Sequence, residues 1–374
     1  MDSFFNSNKD SNSIIAKEEI LLPDYVPTEA LHRTSEMKEI AASINPMING
    51  KKCNNLFIYG TSGTGKTTCM KILIEQLDEN TSKVIPVYAN CWEYSTKMAI
   101  YYKICEALKI ILPRRGLASD EVFERILEVM KKERTAVLVV LDELDSLVFN
   151  KEESVLYVLS RANEKDGANF GIIGISNKKD LTRLLDSRIA SSLRFSSLEF
   201  KEYTEEQLKE ILVERAKAAL LPGTYDQTII KECAKIGTEN NGSARLALEV
   251  LWKAAIKADK RDAKKIEVED IYEVARTIEK RPTKKSYRSV SFDDFDLKLS
   301  EEEKAILDIL TEGEKTSSQL YDAYTAKFNK SKRQIRNYLT ILEAKGLIDS
   351  KEIDYRENSF LRIKVYFLKK RGVE

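Results

Sequence analysis

The sequence predicts a three-part chain: a parallel α/β sheet that binds a nucleotide, a small helical domain, and a C-terminal winged helix. Three observations carry this. Gly60-Thr61-Ser62-Gly63-Thr64-Gly65-Lys66-Thr67 follows the apolar run Leu56–Tyr59. Short apolar runs alternate with helical patterns from Leu21 to Phe200. Three capping boxes followed by two strand-like runs close the chain.

The first segment has the Gly-x4-Gly-Lys-Thr spacing of a phosphate-binding loop between a strand and a helix. Its glycines let backbone N–H groups close on a polyphosphate, and the helix N-terminus that follows adds a favourable dipole. Lys66 would reach the β- and γ-phosphates and the Thr67 hydroxyl would ligate Mg²⁺, with Thr68 beside it. ATP or ADP with Mg²⁺ is the expected cofactor set.

The sheet is read from Leu56–Tyr59, Val84–Tyr88, Thr135–Leu141, Phe170–Ile175 and Arg194–Phe200. From Thr204 to Lys280 strand signal vanishes, and helical periodicity marks Glu205–Ala219, Asp226–Ile236, Ser243–Ala258 and Val268–Glu279. The expected division is a flexible tail over 1–20, a nucleotide-binding core over 21–200, a helical lid over 201–280, a linker over 281–299 and a winged helix over 300–374. In the last part Ser300-x-x-Glu303, Thr316-x-x-Gln319 and Ser331-x-x-Gln334 each precede an apolar stripe, and Leu347–Ile353 and Phe360–Leu368 form a hairpin.

Composition narrows the chemistry. The formal net charge is +1, so affinity for nucleic acid must come from local patches. The five cysteines are scattered and never in Cys-x-x-Cys spacing, which fits a reducing, cytoplasmic compartment. One histidine, His32, rules out multi-His zinc sites. No apolar run approaches a membrane span and no signal peptide is read, so no membrane partner is expected.

A phosphate-binding loop needs a carboxylate to complete its Mg²⁺ site. The apolar run Ala136–Leu141 delivers Asp142 and Glu143 at its end: Asp142 for the Mg²⁺ shell, Glu143 to orient and polarise the attacking water. The next run ends in Ser176-Asn177, where the Asn177 amide would sense the γ-phosphate; capping the following helix is the competing role.

Gly60–Thr67, Asp142-Glu143 and Asn177 resemble the Walker A, Walker B and sensor 1 motifs of an AAA+ ATPase. Leu22–Pro27 with His32-Arg33, Tyr88–Trp92, Leu185–Leu193, Gly242–Arg245 and the C-terminal module are similar to the replication-initiator branch: archaeal origin-binding proteins, the large origin recognition complex subunit and its helicase-loading relative. The resemblance implies that Val26 to Arg33 closes over the adenine, with His32 and Arg33 near base or phosphate. It makes Arg245 sensor 2 and Arg188 the arginine finger toward a neighbouring protomer, although some relatives carry a further arginine where this chain has Ser192. Ordinary surface pairing is the alternative for both arginines. The stretch Trp92–Leu117, with Arg114 and Arg115, resembles a DNA-contacting insertion; a plain amphipathic helix competes.

In the winged helix, Ile335, Tyr338, Leu339 and Leu342 form an inward stripe. Lys330, Lys332, Arg333, Arg336 and Asn337 occupy its approach and outer face, with Arg356 near the hairpin tip. The function this implies is an ATP-dependent origin-binding initiator and slow ATPase acting as a switch, nucleoid-associated. Its partners would be double-stranded origin DNA, paralogous initiator subunits and the MCM replicative helicase. A DNA-bound ATP switch acting as repressor, and a signal-transduction NTPase with a structural winged helix, are the alternatives.

Overall fold

The computed structural model describes residues 13–112, 116–279, 301–311, 313–325, four residues of the next helix (335, 338, 339 and 342), 348–354 and 362–368. Arg114, Arg115, Lys330, Lys332, Arg333, Arg336, Asn337 and Arg356, together with the expected linker, lie outside the described residues. The chain divides into two compact units, Met1–Ser289 and Val290–Glu374.

In chain order the first unit contains α1 (Thr34–Ile48), β1 (Leu56–Tyr59), α2 (Lys66–Asn80), β2 (Val84–Asn90), α3 (Lys97–Ala107), α4 (Ser119–Glu133) and β3 (Ala136–Asp142). It continues with α5 (Asp145–Phe149), α6 (Ser154–Asp166), β4 (Phe170–Ser176), α7 (Ser187–Leu193) and β5 (Ser196–Glu199). The strands pair in parallel in the order β2-β3-β4-β1-β5. Parallel strands covered on both faces read as continuous apolar runs, and β3 and β4 are buried at every position. Alternation still sorts the side chains. Val137, Val139 and Leu141 join one layer with Ile100, Ile104 and Ile126, while Leu138 and Val140 join the other with Ile40, Ile44 and Met70.

The strand order decides where the chemistry sits. Because β4 lies between β3 and β1, the ends carrying Asp142, Asn177 and the loop before α2 are neighbours. Ligands bind at the carboxyl ends of such strands, where the order reverses.

Four helices follow: α8 (Glu205–Ala219), α9 (Gln227–Glu239), α10 (Ala244–Lys260) and α11 (Val268–Glu279). Three begin with a side-chain cap, from Thr204, Asp226 and Ser243. Leu208, Leu212, Ile229, Cys233, Val250, Leu251 and Ile271 close their core.

Residues 13–20, within the expected tail, are ordered against the helical domain. From Ser13 the chain is a strap on the helical domain: Ser13 Oγ and Ile14 N donate to Asp259 at 2.6 and 2.8 Å, and Ile15 bridges Leu220. Ile14, Ile20 and Leu21 are buried with the lid residues. A polar composition hid three apolar anchors, Ile14, Ile20 and Leu21, whose separations fit no single period.

The second unit holds α12 (Glu301–Thr311), the short strand β6 (Lys315–Thr316), α13 (Ser317–Thr325), and an antiparallel pair β7 (Ile348–Asp354) and β8 (Arg362–Leu368), in sheet order β6-β8-β7. The second capping box is made as read, with Thr316 N donating to Gln319 Oε1 at 3.0 Å and Gln319 N to Thr316 Oγ1 at 3.3 Å. Ile335, Leu339 and Leu342 are buried with Ile306, Leu320 and Tyr366, so the inward stripe is an inward stripe.

Asp259→Ala removes two hydrogen bonds from the strap. It should raise amide exchange at Ile14–Lys17 and cost about 1–2 kcal/mol, with exchange in β3 unchanged, as measured by hydrogen–deuterium exchange.

Candidate functional site: a nucleotide cavity between core and lid

One cavity is lined by Ser62, Gly63, Gly65, Lys66, Thr67 and Thr68, by Asp142, Glu143 and Asn177, and by Arg245. They arrive from the start of α2 and its loop, the ends of β3 and β4, and the start of α10. Lys66 opens α2 and is buried at 7% exposure. Its Nζ donates to Gly60 O at 2.7 Å, Thr61 O at 2.8 Å and Asn177 Oδ1 at 2.8 Å. Burial pulls its pKa down to about 8 against the pull of Glu143 and Asp142.

Asp142 is saturated with donors. Its Oδ2 accepts from Thr67 Oγ1 and from Tyr88 Oη, both at 2.7 Å, and its Oδ1 accepts from Glu143 N at 2.9 Å. Tyr88 stands on the neighbouring strand β2. Its hydroxyl fixes the carboxylate whose other partner is Thr67. Glu143 sits in the left-handed region, at φ 54°, a conformation stored more often at working sites than elsewhere. Burial, then Asp142 and Asp145, raise its pKa. Asn177 Nδ2 lies 3.3 Å from Glu143 Oε2, so one amide touches both the lysine and the glutamate. Asp145 is turned away to accept from Ser176 Oγ at 2.9 Å.

The lid reaches the loop through the turn before α10. Ala244 N donates to Gly63 O at 3.1 Å, Arg245 Nη1 to Ser62 Oγ at 3.3 Å, and Thr61 Oγ1 to Asn241 O at 3.4 Å. Gly63, at φ 84°, makes this approach possible: a Cβ there would lie 2.1 Å from Ser243 Oγ. The residues fit a nucleotide with Mg²⁺. A buried ammonium meets only carbonyl and amide oxygens, and a hydroxyl and a carboxylate, both hard oxygen ligands, stand side by side.

Three expected contacts fall elsewhere. Arg33 is buried at 4% exposure and directed at protein: Nε to Thr64 O at 3.1 Å, with Glu36 and Lys201 O on its other nitrogens and the Tyr203 ring 4.0 Å from Cζ. It braces the loop from beneath, because the turn into α1 points it inward. His32, at φ 60°, meets Glu210 at 3.0 Å. Neither they nor Val26 line the cavity. The apolar wall is built instead from Leu21, Leu22, Pro23, Tyr25, Pro27 and Leu31, with Ile211 and Leu248 from the lid. Arg188 is exposed and forks onto Asp186, at 3.1 and 3.2 Å, outside this cavity. In the Trp92–Leu117 stretch, α3 buries Ile100, Tyr101, Ile104 and Cys105, while Tyr102 on α3 and Trp92 and Ile111 on either side of it are exposed.

This fold and site define an AAA+ nucleotide-binding protein. Residues 49–185 match the AAA domain model and residues 209–276 the Cdc6 AAA+ ATPase-type lid domain. ORC1-type DNA replication protein 1 of Sulfurisphaera tokodaii is 32% identical over 360 residues, 93% of this chain and 89% of that protein. Its namesake in Archaeoglobus fulgidus is 33% identical over 282 residues, 74% and 69% of the two. The solved Aeropyrum pernix ORC1 protein in complex with DNA is similar at a TM-score of 0.65 and 28% identity, over 95% of this chain and 94% of that one. The chain belongs to the ORC1-type DNA replication proteins. Among the described residues, no helix is long and apolar enough to cross a membrane.

Gly63→Ala should push Ser243 and the start of α10 off the loop. A loss of about 2 kcal/mol or more in denaturant unfolding is expected, and an unchanged midpoint would show that the lid does not rest there.

Proposed function

We propose that this chain is an ATP-dependent, origin-binding initiator of DNA replication that binds double-stranded DNA and helps load the MCM replicative helicase. The observation that carries the ATP-dependent part is the convergence of Lys66, Asp142, Glu143, Asn177 and Arg245 on one cavity shared by core and lid. Membership of the ORC1-type family supports the replication role, and the DNA complex of the A. pernix relative supports a DNA ligand. The exposed Trp92, Tyr102 and Ile111 agree with a contact surface on the first unit, in addition to the winged helix. Five free cysteines suit a cytoplasmic, nucleoid-associated protein.

The geometry supports the following roles. Gly60–Gly65 would present backbone N–H groups to the phosphates, and Lys66 would exchange its carbonyl contacts for β- and γ-phosphate oxygens. Thr67 and Asp142 would hold Mg²⁺, which neutralises phosphate charge when bound. Glu143, its pKa already raised, would take up the proton of the attacking water, and Asn177 would hold that water against Glu143. Arg245 would carry the γ-phosphate's presence into the lid. Paralogous initiator subunits would supply or receive Arg188 as an arginine finger. Because Arg188 is paired with Asp186 on its own chain, a lone protomer should hydrolyse slowly, which favours as second reading a DNA-bound ATP switch acting as regulator.

Glu143→Gln should retain nucleotide binding and slow hydrolysis on the order of a hundredfold, read by phosphate release. Binding to the cognate origin duplex against scrambled duplex, with ATP or ADP across a salt series, tests the DNA role. Arg333→Ala and Arg336→Ala should remove the preference, each lowering the salt slope by about one, and Lys66→Ala should remove the ATP dependence. Equal weak binding to both duplexes, indifferent to these changes, would sink the initiator reading. Helicase capture on the origin duplex separates initiator from regulator.

A further inference from the structure

A second buried cation lines the nucleotide cavity, contributed by the lid. Arg215 on α8 is 8% exposed. Its Nη1 donates to Ile20 O at 3.1 Å, and its Cζ lies 4.4 Å from the centre of the Tyr25 ring. Among the described residues no carboxylate comes within ion-pair distance of it. Glu214, its neighbour in sequence, acts only at longer range. Burial holds its pKa below the usual arginine value. A buried guanidinium without a counter-ion is costly, so the contacts that it does make define its use.

Those contacts are with the strap. Ile20 immediately precedes Leu21, Leu22 and Pro23, which with Tyr25 form part of the apolar lining of the cavity. Upstream, the strap is tied to the same helical domain through Asp259, Ala219 O and a Trp252–Glu18 hydrogen bond of 2.9 Å. Downstream, Arg33 ties it to the phosphate-binding loop. We propose that Arg215 is a positioning residue for the base end of the nucleotide site: it clamps Ile20 and Tyr25 so that the wall receiving the nucleobase is carried by the lid. This rests on reading the cavity as an ATP site.

The test compares ATP with inorganic tripolyphosphate, which has the phosphates and no base, by calorimetry on the full chain with Mg²⁺. Arg215→Met should weaken ATP roughly tenfold while tripolyphosphate stays within about twofold. Tyr25→Leu should give the same split, and Arg215→Lys, which keeps charge but loses the planar stack, a smaller one. If Arg215→Met fails to fold, by circular dichroism, these two variants decide the matter. Unchanged ATP affinity, or equal loss for both ligands, overturns the proposal. Wild-type protein that binds neither ligand overturns the ATP reading itself, and with it this one.

Discussion

The site depends on a buried cation that, among the described residues, has no carboxylate at ion-pair distance. Lys66 is enclosed by two loop carbonyls and the Asn177 amide, while the nearest carboxylates, Asp142 and Glu143, act on it only through space. That arrangement is stable only if the backbone that supplies the oxygens is rigid, and rigidity comes from the sheet. With β4 seated between β3 and β1, parallel pairing fixes three strand ends within one hydrogen-bonded patch. Asp142 is then held by Thr67 and Tyr88 from the two sides, which keeps its carboxylate off the lysine.

The lid meets this frame through two kinds of contact. Its turn before α10 touches the loop through three polar contacts of 3.1 to 3.4 Å, of which only the Ala244–Gly63 bond has ordinary backbone length. The strap is the firmer tie, with apolar anchors at one end and Arg33 at the other. The cavity therefore has one wall per body, and a ligand spanning both would set the angle between them.

Much of this was legible in the sequence because it follows from period and spacing. Strand β1 and helices α8 and α11 have the limits that the apolar pattern implies, and Asp142 and Asn177 lie where buried strands must release them. What was missed has a common cause. Tyr88 looks like any half-buried strand aromatic until the pairing with β3 sets it against Asp142. Arg33 lies beside His32 in a motif-like pair, yet a turn at φ 60° sends it under the loop. Arg215 repeats within an ordinary helical pattern, and only the return of the strap gives it a partner. Long-range closure of this kind leaves no local periodicity to read.

The fork between Arg188 and Asp186 has its own consequence. Both of its bonds exceed 3 Å and the arginine is 80% exposed, so water competes for it throughout. The pair therefore works as a loose holster. It restrains the guanidinium only weakly, so an anion arriving there would still meet most of the ordering entropy of a long side chain. It also sets a threshold: an incoming group must outcompete Asp186, so a singly charged or poorly aligned visitor gains little, whereas a dense anion gains nearly its full attraction.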